Sequence, residues 1–362
     1  MILSGIVAAV LVVITSFVTV PYEAITPGST VEVSRLISVS GMTPLAKSGS
    51  VSLVDVNLVP LSAFNYLFFR LNPDNQIVPK GEILGLNSQT TYDEQGVLDM
   101  ASAQQAATYV AFQQLGYPIH VRQVGVAVYE IETRSPASSG KLNSSLVVGD
   151  VIRQVGGAKI SDVASLRNVL LRHQVDELVK IEVQHYGQSK RHSVVIRLGL
   201  LKANGAGNEV CIPGSGTIDR SIQANVGTPC LGIVLMPMYQ IVNQPYAVNL
   251  NAQGIIGPSA GLAFTLGLIK ELDRQDLTSG LSIAATGTIA MDGSIGDVGG
   301  VKQKTIAVRN SGASVFFVPK SEFQTAKLNA GPNLRLFAVT SISQAIQDLK
   351  SLGGRIIMRA PR

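Results

Sequence analysis

Ser259 stands in the segment Gly257-Pro258-Ser259-Ala260-Gly261, directly before the apolar run Leu262–Leu272. Pro258 ends an extended stretch, so Ser259 falls at the turn into a helix. There the first backbone N–H groups lack helical partners and face any anion that arrives. A serine so placed lies beside a ready oxyanion site, although serine before a helix also serves as an N-cap. All four histidines, His120, His173, His185 and His192, precede residue 193, so no Ser-His-Asp triad can be confined to the C-terminal region. A base must then come from elsewhere. Gly299-Gly300 opens a second helix, and at about 100° per residue Val301, Lys304, Thr305 and Val308 share one face. Lys302 points away with Ile306 and Arg309. A lysine held against apolar surface loses hydration of its charged form, so its pKa falls and its neutral amine can accept a proton. The alternative is a lysine that snorkels to solvent.

The elements that must hold these residues begin well upstream. Gly49–Val59 alternates apolar and polar residues as a strand does, a helix follows near Leu61–Leu71, and Ala101–Leu115 carries apolar residues at helical intervals before Gly116. Pro21–Gly28 reads as a linker. Residues Val124–Leu198 form a separate rhythm. The strand Gly125–Ile131 leads to Ser135-Pro136-Ala137, then to Gly149-Asp150-Val151-Ile152, a helix Ser161–Arg172, and strands Leu178–His185 and His192–Leu198.

This second unit resembles a PDZ domain of the bacterial protease type. The resemblance implies an extended peptide added to a strand edge at Gly125, Val126, Ala127 and Val128, facing the Ser161–Arg172 helix, with peptide termini as partners. The order GPSAG, Thr286-Gly287, Gly299-Gly300-Val301-Lys302-Gln303-Lys304, then Gly312–Lys320 resembles the proteolytic domain of Lon-type proteases. By that resemblance Ser259 is the nucleophile, Lys304 the base and Thr286 a residue whose hydroxyl holds the lysine amine. Backbone N–H groups of Ser259, Ala260 and Gly261 would form the oxyanion hole. Ile256 stands where these proteases usually carry Asp, and the Ser259–Thr286 interval is slightly longer than in ATP-dependent members. The helix from Ala101 is similar to the one preceding the nucleophile segment in this family, which implies a PDZ unit inserted into the protease domain.

From Ile2 to Val20 the chain carries no charge, about the length that crosses a bilayer as a helix. The apolar run is longer than that of a signal peptide and lacks a small-residue cleavage pattern. We read an uncleaved anchor, with the folded chain outside the cytoplasm. There Cys211 and Cys230 could pair, or both could be buried thiols. Anchor, PDZ and Lon-type domain in this order resemble the YlbL-like group of membrane-anchored Lon-type proteases.

The expected organisation is α+β: a membrane anchor at 1–20, a membrane-proximal first part of the protease domain at 21–120, the PDZ domain at 121–199, the Lon-type domain at 200–350 and a tail at 351–362. The PDZ part would be a sandwich-like barrel with helices. Hydrophobic residues at 46% against 15% charged exclude a disordered chain. The net charge of +5 is spread thinly, which gives no support to nucleic-acid binding. No Gly-x4-Gly-Lys-[Ser/Thr] loop occurs, and Gly293–Gly300 does not follow a strand into a helix with an acidic residue beyond it, as a dinucleotide site would. The expectation is a serine endopeptidase, single-pass in the cell membrane, that needs neither metal nor nucleotide. It would act on unfolded or membrane-associated proteins and, like other Lon-type domains, form homo-oligomers. The rival is a catalytically inactive PDZ adaptor that tethers membrane proteins.

Overall fold

The computed structural model describes residues 12–42, 49–138, 145–203, 209–213 and 227–357. Residues 1–11 of the expected anchor lie outside them. Residues 12–17 are helical, and among the described residues no helix is long and apolar enough to cross a membrane. The helical expectation for Thr19 and Val20 is corrected, as is the linker at Pro21–Gly28. Both fall in strand β1 (Thr19–Glu32), which the antiparallel strand β2 (Ser50–Ser62) holds. Their register shifts between Pro27 and Thr30, beside a proline with no N–H to give the ladder.

Ser62 ends β2 and caps helix α1 (Ala63–Leu71) through a reciprocal pair of hydrogen bonds with Asn65. Strand β3 (Gln76–Pro79) pairs with the other edge of β1. Helix α2 (Gln89–Gln114) starts well before Ala101, because Ser88 accepts a hydrogen bond from the Thr91 N–H and sets an earlier N-cap. The chain continues through β4 (His120–Ile131), β5 (Asp150–Val155), α3 (Val163–Leu170), β6 (Leu178–His185), β7 (Arg191–Arg197), β8 (Gly199–Ala203), β9 (Glu209–Ile212), β10 (Pro229–Cys230) and β11 (Ile233–Val242). It ends through α4 (Gly261–Asp273), β12 (Ser282–Ala285), α5 (Val301–Ser311), β13 (Val315–Pro319), α6 (Phe323–Asn329), β14 (Arg335–Val339) and α7 (Ile342–Ser351).

The chain divides into two compact units. One holds residues 1–92, 99–119 and 243–362, the other 93–98 and 120–242. In the first, the sheet runs β14-β13-β12-β2-β1-β3, parallel from β14 to β2 and antiparallel beyond. Helix α4 is buried from Gly261 to Leu272 and is apolar over most of that length, as a core helix is. Residues after α7 are tied down rather than loose. The Arg355 N–H donates to the Asp276 carbonyl and the Ile357 N–H to the Asp273 carboxylate; 358–362 lie outside the described residues.

The second unit is an antiparallel sheet in the order β11-β4-β5-β6-β7, covered by α3. Val126 and Val128 enter one core with Ile152, Leu166 and Ile181, while Ala127 enters another with Leu98, Val148 and Val151. Strand β4 is interior to the sheet, paired with β11 on one side and β5 on the other, and its side chains are buried on both faces. Residues 200–242, expected with the protease domain, belong to this unit. Of the expected linker Asn204–Pro229, residues 204–208 and 214–226 lie outside the described residues. Its described parts join β8 in a small sheet with order β9-β8-β10. Cys211 and Cys230 are bonded to each other, with Cα atoms 5.9 Å apart.

Candidate active site

Gly257 adopts φ 88°, a left-handed conformation that favours glycine, and releases the chain into the short 3-10 turn Pro258–Ala260. Two backbone bonds pin this turn to the segment after β12: Gly287 N–H to the Ser259 carbonyl at 2.9 Å, and Leu262 N–H to the Gly287 carbonyl at 3.0 Å. At Gly261 any Cβ would lie 2.6 Å from the Ile289 side chain and 2.9 Å from its backbone nitrogen, so the approach requires glycine. The expected oxyanion trio is corrected in one member. The Gly261 N–H donates to the Pro258 carbonyl and closes the 3-10 turn. That leaves Ser259 and Ala260 as the expected donors, with Ser259 itself partly exposed.

Lys304 reaches the same place from α5, which opens at Gly300 with φ 67°. Its side chain is 3% exposed, and its Nζ donates to the Thr286 hydroxyl at 3.2 Å. That hydroxyl donates to the Ser259 carbonyl at 3.3 Å. Thr286 directly follows β12, and its own N–H donates to the Phe317 carbonyl at 3.0 Å. The site thus sits at the carboxyl ends of parallel strands, where such sheets open a crevice. Ser259 and Lys304 line one cavity of about 370 Å³ together with Asp55, Asn57 and Ile256. Lys302 turns outward, its Nζ donating to the Pro73 carbonyl at 2.6 Å.

Burial lowers the Lys304 pKa to about 8, with the carboxylates of Glu322 and Asp55 pulling partly the other way. Glu322 is in turn raised above the usual carboxylate range, chiefly by its own burial. Sequence reasoning missed both carboxylates. They come from β2 and the turn after β13, and nothing in their local spacing links them to Lys304.

The second unit holds another concavity, of about 390 Å³, lined by Val163, Leu166 and Leu170 of α3, by Leu231 just before β11, and by Ile233 and Leu235 at its start. The edge expected at Gly125, Val126, Ala127 and Val128 is therefore corrected. These residues pair with Met238, Pro237, Met236 and Leu235 of β11, and Val126, Ala127 and Val128 are 0% exposed, so no peptide can add there. Strand β11 is the outer strand of the sheet, and its start faces the same cavity as α3. The signal was present as Gly232, with φ 71°, before the alternating Ile233 and Leu235, beyond the boundary drawn at 199.

Comparison with known proteins finds two families, the first match reaching across residues 99–119 of the first unit and ending before the second unit does. Residues 87–196 match the PDZ domain family, and residues 251–348 match the Lon protease (S16) C-terminal proteolytic domain. Lon protease 2 of Bacillus subtilis is 29% identical over 107 residues, which is 29% of this chain and 19% of that protein. Lon protease of Malacoplasma penetrans is 39% identical over 66 residues, 18% of this chain and 8% of that one. The chain therefore matches only a small part of the length of these relatives. Among solved structures, the PDZ domain of the SdrC-like protein from Listeria innocua is 22% identical, with a TM-score of 0.21, over 31% of this chain and 92% of that one.

Proposed function

We propose that this chain, which carries a PDZ domain and a Lon-type serine-peptidase domain, is an endopeptidase that works by a Ser259–Lys304 dyad without ATP. The observation that carries the reading is the buried amine of Lys304. Its pKa of about 8 leaves an appreciable neutral fraction at physiological pH, and it lines the same cavity as Ser259. Neutral Lys304 takes the Ser259 proton, and Oγ attacks the scissile carbonyl. The N–H groups of Ser259 and Ala260 meet the oxyanion. Protonated Lys304 then gives its proton to the leaving amine, and a water activated by the same amine releases the acyl-enzyme. Thr286 keeps the amine in place between these steps.

The apolar cavity between α3 and β11 supports a role in holding extended peptide termini as an added strand. The sequence carries no P-loop, so substrates would be loosely folded or unfolded chains, including those at the membrane. The uncharged run from Ile2 to Val18 and the Cys211–Cys230 bond support an anchored protein whose folded part is extracytoplasmic. Incubating the full chain with unfolded casein tests the central reading. Steady cleavage that vanishes in Ser259→Ala and Lys304→Ala is expected. Peptide binding without any cleavage would replace it with the tethering adaptor.

A further inference from the structure

Helix α1 has no buried residue. Leu67, Phe68 and Leu71 are 63%, 61% and 81% exposed, and Phe64 packs its ring 5.2 Å from that of Phe68. These positions recur at i, i+3, i+4 and i+7, so they form one stripe. The opposite side of the helix is already occupied. Tyr66 and Phe69 line a small cavity with Tyr22 and Ile77, the Tyr66 and Tyr22 rings lie 5.5 Å apart, and Arg70 donates to the Tyr66 hydroxyl at 3.1 Å. The apolar stripe is therefore not the face that fastens the helix to its sheet.

Beside α1 lies the end of the uncharged N-terminal run. The Ala63 N–H donates to the Val18 carbonyl at 2.8 Å, and Thr19 pairs with Ser62. Just before that junction Ile14 and Phe17 are 54% and 83% exposed. Wherever the run leads, α1 begins one hydrogen bond from its exit. A run that inserts into a bilayer must bring α1 to the lipid surface.

We propose that α1 is an interfacial membrane helix, its Phe64, Leu67, Phe68 and Leu71 stripe lying in the acyl boundary and Arg70 and Tyr66 at headgroup level. The proposal rests on the reading of the uncharged run up to Val18 as an anchor. The occupant of the stripe is lipid, because the continuity with the apolar run joins the stripe to a surface that the run itself would enter, whereas nothing comparable points to a second copy.

The chain contains no tryptophan, so a single introduced indole reports on one place. Full-length Phe68→Trp is reconstituted into phosphatidylcholine–phosphatidylglycerol vesicles, with Leu328→Trp, at an 87% exposed position of α6, as the control. The expected result is that the indole of Phe68→Trp emits to the blue, is shielded from iodide and loses most of its emission when brominated lipids replace the ordinary ones. The indole of Leu328→Trp stays accessible to iodide. Protein that floats with the vesicles but leaves the indole at position 68 open to iodide overturns the helix contact and leaves the anchor standing. Blue-shifted emission from that position that brominated lipid does not quench and that reddens on dilution overturns it in favour of a second copy. Protein that fails to float overturns the anchor and this proposal together.

Discussion

At the scale of single residues, the chemistry turns on how water is kept from one amine. Lys304 is held near pKa 8 by burial, so the fraction able to act as a base rises with pH through that value. Casein cleavage by the full chain should therefore fall as pH drops from about 9 to about 6, with its midpoint near 8; a flat profile would count against lysine as the base. The same burial has a cost in stability. The folded-state pKa lies below the value of 10.5 for an unperturbed lysine, so folding disfavours the charged form below about pH 10.5, and the penalty is fully present below about pH 8. Lys304→Met should abolish cleavage yet stabilise the chain by up to about 3 kcal/mol at about pH 7, an advantage that fades as pH rises from about 8 and is gone above about 10.5. Denaturant titration at the two pH values measures it. Thr286→Val, which removes the hydroxyl bonded to Nζ at 3.2 Å, should lower kcat with less effect on KM.

At the scale of elements, close approach and strand order decide what each motif can do. The N-terminus of α4 rests on Ile289 through Gly261, and Gly261→Ala inserts a methyl where 2.6 Å separates Cβ from a side-chain carbon. Overpacking of this kind costs about 1–3 kcal/mol and should displace the Ser259 turn, lowering cleavage more than it lowers the unfolding midpoint. In the second unit the groove wall is α3 and the residue just after it. Leu171, 50% exposed, lines the cavity and tolerates charge in the free protein. Leu171→Glu should weaken binding of an apolar peptide about tenfold, because docking would strip water from the carboxylate. Calorimetry with the full chain checks this, and unchanged affinity would move the peptide site away from α3 and β11.

For the molecule as a whole, the chain is a discontinuous first unit interrupted by the second. The second unit carries its own covalent tie, Cys211–Cys230, at a sequence separation of 19, one that closes a loop of a size whose removal costs about 3 kcal/mol. A Cys211→Ser, Cys230→Ser double variant should lower the unfolding midpoint and lose peptide affinity, since both cysteines line the groove. Equal affinity with and without the bond would make the tie purely structural. The membrane contact proposed for α1 belongs to this scale too, because it depends on where the N-terminal run joins β1 rather than on any one side chain.

Local rules set the serine turn and the direction of the lysines. Gly and Pro mark the Ser259 turn, and a period of 3.6 residues puts Lys304 inward and Lys302 outward, both set by neighbours a few residues away; Ile306, expected outward with Lys302, is 1% exposed because packing covers more of α5 than one face. The long start of α2 is hard to see in the sequence because its first turns are polar and only the Ser88 cap announces them. Other features depended on partners distant in the chain. That β4 is interior and β11 is the outer strand follows from a pairing of Gly125 with Met238, and no local pattern specifies which edge of a strand a remote segment will cover. The carboxylates beside Lys304 and the commitment of the Gly261 N–H likewise exist only once β2, α4 and α5 are packed together, because burial and hydrogen-bond supply are properties of the assembled core.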